Sequence, residues 1–296
     1  MEITEYYPFK SEEAKEKYLR MYNEKLNEWP IPSESKMIDT SYGQTFVQIS
    51  GPSDGPPLVL LTGLGGNSLS WMPQIKELSQ QFRTYAVDNI SDIGLSVSIR
   101  TVNGPDDFTA WLDELFTAIG LENNINLMGA SYGAWLTAEY ALVHPERLHN
   151  MVMVMPAIVQ PMSPEFLAKM AQILSDIEGA NNLISWLYED FLQKDEANRE
   201  KIEVIMEEQK IAASYFEIKP AIQPRVFENE ELQGIQVPAL FVVGENEKTY
   251  SAHEAVKRLN SVAPQINIEL VPNAGHDLMH VQEELVIGKV LEFLSG

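Results

Sequence analysis

The chain contains no cysteine. That absence excludes disulfides, thiolate metal sites and a cysteine nucleophile, and it suits a reducing compartment. Basic residues are scarce too: 21 Lys and Arg stand against 43 Asp and Glu, a formal net charge of −22 over 296 residues. Such a surface repels phosphate backbones and anionic head groups, so neither nucleic acid nor a membrane surface is an expected partner. The acidic excess is spread over helical and loop segments rather than gathered into a tail, which is the pattern of a solvated surface. No apolar run approaches the roughly 18 residues of a membrane span. The N-terminal stretch MEITEYYPFKSEEAKEKY has no apolar segment behind a basic start, so no secretory signal is expected and the expected location is cytoplasmic. Internal repeats and low-complexity segments are missing as well.

What is present is enough apolar residue, 45% of the chain, to bury a sizeable core. Residues 11–28, SEEAKEKYLRMYNEKLNE, have helical spacing in Ala14, Tyr18, Met21, Tyr22 and Leu26, with Ser11 as cap and Glu12 and Glu13 at the positive end of the dipole. KMIDTSYGQTFVQIS predicts two strands around a turn at Ser41, Tyr42 and Gly43. Six strand-length apolar runs follow: PPLVLLTG (56–63), FRTYAVD (82–88), INLMGA (125–130), NMVMVMP (150–156), VPALFVVG (237–244) and INIELVP (266–272). Runs apolar on both faces belong to parallel strands covered by helices. Helical patterns separate them near 69–81, 106–120, 132–144, 249–262 and 279–294. The alternation predicts an open, mostly parallel, doubly wound α/β sheet.

The interval 157–228 breaks the alternation. Ser163-Pro164 reads as a cap and first helical residue. Phe166, Met170, Ile173 and Leu174 share one face, Leu183, Trp186, Leu187 and Phe191 another, and Ile202, Ile205, Met206 and Ile211 a third. These patterns predict an all-helical insertion between two strands of the sheet.

LMGASYGAW, residues 127–135, sits where a strand ends and a helix begins. A three-position match to G-x-S-x-G is too short to assign a role alone, and Ser131 would otherwise be a capping serine in a glycine-rich turn. The strand–turn–helix context, however, is the one a nucleophile elbow needs. A turn this tight strains the serine backbone and leaves no room for side chains two residues either side, a demand met by Gly129 and Gly133.

A serine hydroxyl needs a base. Of the 5 histidines, His144 follows the helix after the elbow, His149 opens a strand and His253 lies on a helix surface. His276, in VPNAGHDLMH just past the last strand, is placed to reach Ser131, with His280 the weaker candidate. The base in turn needs an acid to hold its tautomer. VPALFVVG runs into GENE, which offers Glu247 with Glu245 as its rival. The expected chain order is Ser131, Glu247, His276. A developing oxyanion needs fixed donors: the N–H of Tyr132 and, from the loop TGLGGNSLSW (62–71), the N–H of Leu64. A GLGG loop can also hold phosphate, but no G-x-G-x-x-G or P-loop lysine accompanies it.

Together, GASYG, TGLGGNSLSW, PALFVVGENE, NAGHD and the helical insertion resemble the α/β-hydrolase superfamily over about residues 36–296. Within it, WPIP, SYGQTFVQISGP, RTYAVD and GENEKTY are similar to bacterial serine carboxylesterases of this length. The resemblance implies an α/β-hydrolase fold in three parts: an N-terminal helical extension (1–35), a core (36–156 and 229–296) and a helical cap (157–228). It implies hydrolysis of a small-molecule ester through an acyl-enzyme, with no metal or cofactor. Some members of the group act on arylpropionic esters; ester hydrolysis carries over, that substrate does not. Other acyl or carbon–carbon bond hydrolysis on the same triad, or a non-enzymatic signalling role, are the alternatives. Two departures stand out. Thr62-Gly63 replaces the usual His-Gly at the oxyanion loop, so a threonine hydroxyl would have to brace it with fewer hydrogen bonds. The acid is Glu rather than the commoner Asp.

Overall fold

Ser11 caps the first helix, α1 (Glu12–Leu26), its hydroxyl accepting the Ala14 amide at 3.1 Å. Ala14, Tyr18 and Tyr22, each one turn after the last, are buried and pack against Phe9, Phe46, Ala212 and Phe216. The computed structural model describes residues 7–173, 177–194, 196–217 and 221–296; Leu174, read above as part of a helical face, lies outside them. After α1 come β1 (Ser33–Thr40) and β2 (Gly43–Ser50), an antiparallel hairpin in which Thr40 faces Gly43 across a turn at Ser41 and Tyr42. Then follow β3 (Pro57–Leu61), α2 (Ile75–Leu78), β4 (Arg83–Val87), β5 (Val97–Ser98), α3 (Pro105–Ala118), β6 (Ile125–Ala130), α4 (Tyr132–Val143) and β7 (Leu148–Val154). The helices α5 (Pro164–Ile173), α6 (Ile177–Leu187), α7 (Glu189–Leu192) and α8 (Glu196–Tyr215) succeed one another with no strand among the described residues. The chain ends with α9 (Asn229–Gly234), β8 (Ala239–Gly244), α10 (Ala252–Val262), β9 (Asn267–Val271), α11 (Leu278–Val281) and α12 (Glu283–Ser295).

The strands form one sheet in the order β1-β2-β4-β3-β6-β7-β8-β9, with β5 paired to β2. From β4 to β9 all neighbours are parallel; only the hairpin side is antiparallel. The order turns at β3, which has β4 on one side and β6 on the other. Doubly wound sheets place their ligands at the carboxyl ends of the strands at such a switch point.

Alternation along the strands explains the doubly apolar runs. Val59 and Leu61 enter the core beneath α3, α4 and α10, whereas Leu58 and Leu60 enter the opposite core with α2 and α12. In β8, Phe241 and Val243 face the first core and Leu240 and Val242 the second. Each such side chain contributes about 1.5–3 kcal/mol on burial, so a polar residue on either face would be costly. Two helical readings differ in detail. Residues 69–81 hold a 3₁₀ turn, Ser68–Trp71, and the short α2, because Pro73 between them has no N–H to continue a helix. Residues 279–294 divide at Gln282, whose φ of −127° and ψ of 38° leave the helical region between α11 and α12. The short β5 and α9 have no clear sequence signal. No helix among the described residues is long and apolar enough to cross a membrane.

Trp111 of α3 has no exposed surface and donates its indole N–H to Thr45 of β2 at 2.8 Å. Trp111→Ala should destabilise the protein by about 3–5 kcal/mol, read as a lower urea midpoint, and Trp111→Phe by less.

Candidate active site

Ser131 follows β6 directly and has φ of 51° and ψ of −110°. A positive φ is strained for a residue with a side chain. Three hydrogen bonds hold the conformation: Ser131 N–H to the Val154 carbonyl at 2.8 Å, and the Ala134 and Trp135 amides to the Ser131 carbonyl at 3.0 and 3.2 Å. The turn depends on its flanking glycines. A Cβ on Gly129 would lie 2.1 Å from the Gly133 carbonyl oxygen, and one on Gly133 would lie 2.4 Å from that of Leu61. The helix that follows, α4, is buried from Tyr132 to Ala141, so the elbow rests on a fixed element.

His276 lies in the turn after β9 and brings its Nε2 to 3.1 Å from Ser131 Oγ. Its Nδ1 is 2.8 Å from Glu247 Oε2. The Glu247 side chain is fully buried, and its other oxygen accepts the amides of Lys248 at 2.9 Å and Thr249 at 2.8 Å. With the carboxylate on Nδ1, that nitrogen holds the proton and the Nε2 lone pair faces the serine. Burial alone would lower the His276 pKa, but the charge and hydrogen bond of Glu247, with the charge of Asp277, hold it above the ordinary value. Burial would raise Glu247; the imidazolium charge and hydrogen bond of His276, together with the Thr249 amide, hold it below its ordinary value instead.

The rival residues lie elsewhere. Glu245 is exposed, and its amide serves the Val271 carbonyl. His280 packs between the rings of Tyr188 and Phe191, at 5.4 and 5.5 Å, and burial together with Lys201 lowers its pKa to about 4. His144 ends α4, His149 is exposed in β7 and His253 is exposed in α10. Among the described residues no cluster of three or more His, Asp or Glu is arranged to hold a metal ion.

The loop after β3 lies against the elbow: a Cβ on Gly63 would be 3.5 Å from Ser131 Cβ. No hydrogen-bond partner is present among the described residues for the amides of Leu64 and Tyr132, the two donors expected at this site. Thr62 departs from the expectation that its hydroxyl braces the loop. Its Oγ1 is buried without a partner among the described residues, and the Thr62 carbonyl accepts from Asn89 Nδ2 at 3.3 Å instead.

Helices α6 and α7 cover the histidine side. Trp186, Leu187, Glu189 and Asp190 line a cleft with Lys248, Gly275 and His276. Polar ties hold the cover down. Lys248 pairs with Glu189, Asn246 Nδ2 donates to Asp190 at 3.0 Å, and the Phe191 amide donates to Asp277 at 2.7 Å. Ser163 caps α5 through the Phe166 amide at 3.1 Å and donates its hydroxyl to the Lys248 carbonyl at 2.8 Å. Sequence reasoning missed Lys248 and Asp277. Both adjoin a residue it found, but their neighbours sit 59 and 86 residues away.

A family model described as alpha/beta hydrolase fold matches residues 56–211. The carboxylesterase YbfK of Bacillus subtilis is 35% identical over 97% of both chains. Its crystal structure superposes with a TM-score of 0.85 over 95% of this chain and 98% of its own. A naproxen esterase from Bacillus subtilis, carboxylesterase NP, is 31% identical over 99% of each chain, also with a TM-score of 0.85.

The steric demand at the elbow has a direct consequence. Gly129→Ala should cost about 3 kcal/mol or more, and the variant should appear in the insoluble fraction or melt well below the wild type in a thermal scan. Wild-type behaviour would show that the turn can open.

Proposed function

This chain belongs to the α/β-hydrolase fold family and is a carboxylester hydrolase, and we propose that it cleaves small to medium apolar esters through a Ser131–His276–Glu247 triad. The carrying observation is the unbroken hydrogen-bonded line from Ser131 Oγ through both ring nitrogens of His276 to a buried Glu247. In the first half-reaction His276 Nε2 takes the hydroxyl proton as Ser131 Oγ attacks the ester carbonyl. The amides of Leu64 and Tyr132 hold the oxyanion, and Glu247 stabilises the imidazolium. His276 then returns its proton to the departing alcohol, leaving an acyl-serine. Water, deprotonated by the same nitrogen, releases the acid and restores the hydroxyl.

The helical interval 157–228 is proposed as the cap over this site. Trp186 and Leu187 in its cleft favour an apolar substrate group, and the net charge of −22 disfavours polyanionic esters. A cysteine-free chain suits a reducing cytoplasm, the compartment proposed for it.

A panel of p-nitrophenyl esters from acetate to octanoate tests the reading, with a fluorophosphonate as the probe of Ser131. Turnover and labelling are expected together; absence of both would sink the proposal. Ser131→Ala should lower kcat by at least about 10⁴-fold, and a loss of only a few-fold would assign the chemistry to another residue. Only neutral His276 can accept the proton. Because its pKa is raised, the acid limb of kcat/KM should have its midpoint above 6.5, activity falling as pH drops through it. Glu247→Gln removes the charge that favours the imidazolium, so the limb should move to lower pH while kcat drops by about 10³–10⁴-fold. A limb that stays in place would show that Glu247 does not govern the base.

A further inference from the structure

The loop that carries Leu64 has lost the brace its first residue would be expected to supply, yet it is tightly held. The segment after β4 clamps it at every third residue. Asn89 Nδ2 donates to the Thr62 carbonyl at 3.3 Å. Asp92 accepts the Gly65 amide on both oxygens, at 3.0 and 2.9 Å. Asp88 accepts the Ser68 amide at 2.7 Å. The clamp is itself fixed, since Asp92 also takes the Ile93 amide at 2.8 Å and Asp88 takes the Leu95 amide at 2.7 Å. Helix α1 reaches the same point: the Tyr22 hydroxyl donates to Asp88 at 3.1 Å.

The middle contact differs from the other two in what it orients. Gly65 N–H belongs to the peptide plane immediately after Leu64. Pinning that plane restricts the Leu64 ψ angle, and the Asn89 bond restricts the plane before Gly63. Between them lies the Gly63–Leu64 peptide plane: its carbonyl accepts the Gly66 amide at 3.1 Å, so its N–H, which has no partner among the described residues, has little freedom to turn. We propose that Asp92 is a positioning residue for the reaction, aiming the Leu64 N–H at the oxyanion through the Gly65 amide and so taking over the bracing that Thr62 does not provide. This rests on the proposed ester hydrolysis at Ser131.

The environment of Asp92 supports the assignment. Burial raises its pKa to about 7, with the charge of Asp88 adding to the rise and the amides of Ile93 and Gly65 opposing it. Tyr132, whose own amide is the second proposed donor, feels the Asp92 charge, as does Tyr18 of α1. The shift accompanies the geometry: the Asp92 oxygens hold the Gly65 amide and its charge reaches Tyr132, the residue after Ser131.

The test separates aim from fold. Asp92→Ala and Asp92→Asn are compared with wild type for kcat and KM on p-nitrophenyl butyrate. Two inhibition constants are measured alongside, one for an alkyl trifluoromethyl ketone and one for the corresponding alcohol. The ketone forms a tetrahedral adduct that places an oxyanion in the hole; the alcohol forms none. Asp92→Ala should lower kcat by about 30- to 100-fold with KM within about threefold. The ketone should weaken by the same factor and the alcohol should be unaffected. Asp92→Asn, whose carbonyl still accepts one of the amides, should recover about fivefold of the lost kcat and stay about 6- to 20-fold below wild type. A folded Asp92→Ala enzyme with kcat within about threefold of wild type, or a kcat loss with an unchanged ketone constant, would overturn the inference. If Asp92→Ala does not fold, Asp92→Asn decides: kcat and ketone binding must fall together, and wild-type values for both overturn it. Ser131→Ala is assayed in parallel. Turnover surviving in that variant removes the triad reading and this inference with it. Turnover lost there but untouched by Asp92 removes this inference alone.

Discussion

The parallel pairing of β3 with β6 is the constraint on which the rest of the site depends. Leu61 lies opposite Gly129, so the carboxyl ends of the two strands finish side by side. From one end the chain enters the loop bearing Leu64; from the other it enters the elbow bearing Ser131. Gly133 sits so close to Leu61 that no side chain fits between them. A serine in a positive-φ turn and a loop of backbone donors therefore meet without any side chain having to reach across the sheet. Two strands further along, β8 and β9 finish next to each other in the same way, Gly244 opposite Val271, and deliver Glu247 and His276.

Strand ends fix only where loops begin. In this acidic chain the loops themselves are held largely by carboxylates that accept backbone amides. Asp88 and Asp92 hold the loop after β3, Glu247 holds its own turn through Lys248 and Thr249, and Asp277 holds Gly275 and the start of α7. A hydrogen bond from an amide to a charged acceptor contributes about 1.5–3 kcal/mol, more than a neutral bond in the same place. Glu247 does two things at once, one oxygen ordering the backbone and the other orienting His276. The excess of acid on the surface and the few acids inside thus have different physical roles.

The helices over the site are tied to those same loops. Lys248 meets Glu189, Asn246 meets Asp190, Asp277 meets Phe191, and Ser163 meets Lys248. Every tie reaches a residue within two positions of Glu247 or His276, except at its cap-side end. The covering helices and the His276–Glu247 pair consequently share one set of hydrogen bonds, while Phe191, Ile184 and Tyr188 of those helices also pack into the core beneath.

Much of this was legible along the chain. Strand runs apolar on both faces, the Gly129–Ser131–Gly133 spacing and the order Ser131, Glu247, His276 are local patterns, and each is imposed by local physics: pleat alternation, steric exclusion in a tight turn, and the position of loops after strands. What was not legible depends on direction and on distance through space. Placement after a strand ranks Glu247 before Glu245 and His276 before His280, but only the turn geometry shows Glu247 directed at His276 and His276 at Ser131, with Glu245 left to solvent and His280 to the rings of Tyr188 and Phe191. The sheet order was equally silent. Thr62 marked a missing brace, but nothing near it pointed to Asp92, since their loops belong to different strands and meet only because β3 and β4 pair. Periodicity and motif spacing record what a residue does with its neighbours in the chain, whereas the hydrogen bond from His276 to Ser131 joins residues 145 positions apart. That contact exists only once the sheet has formed.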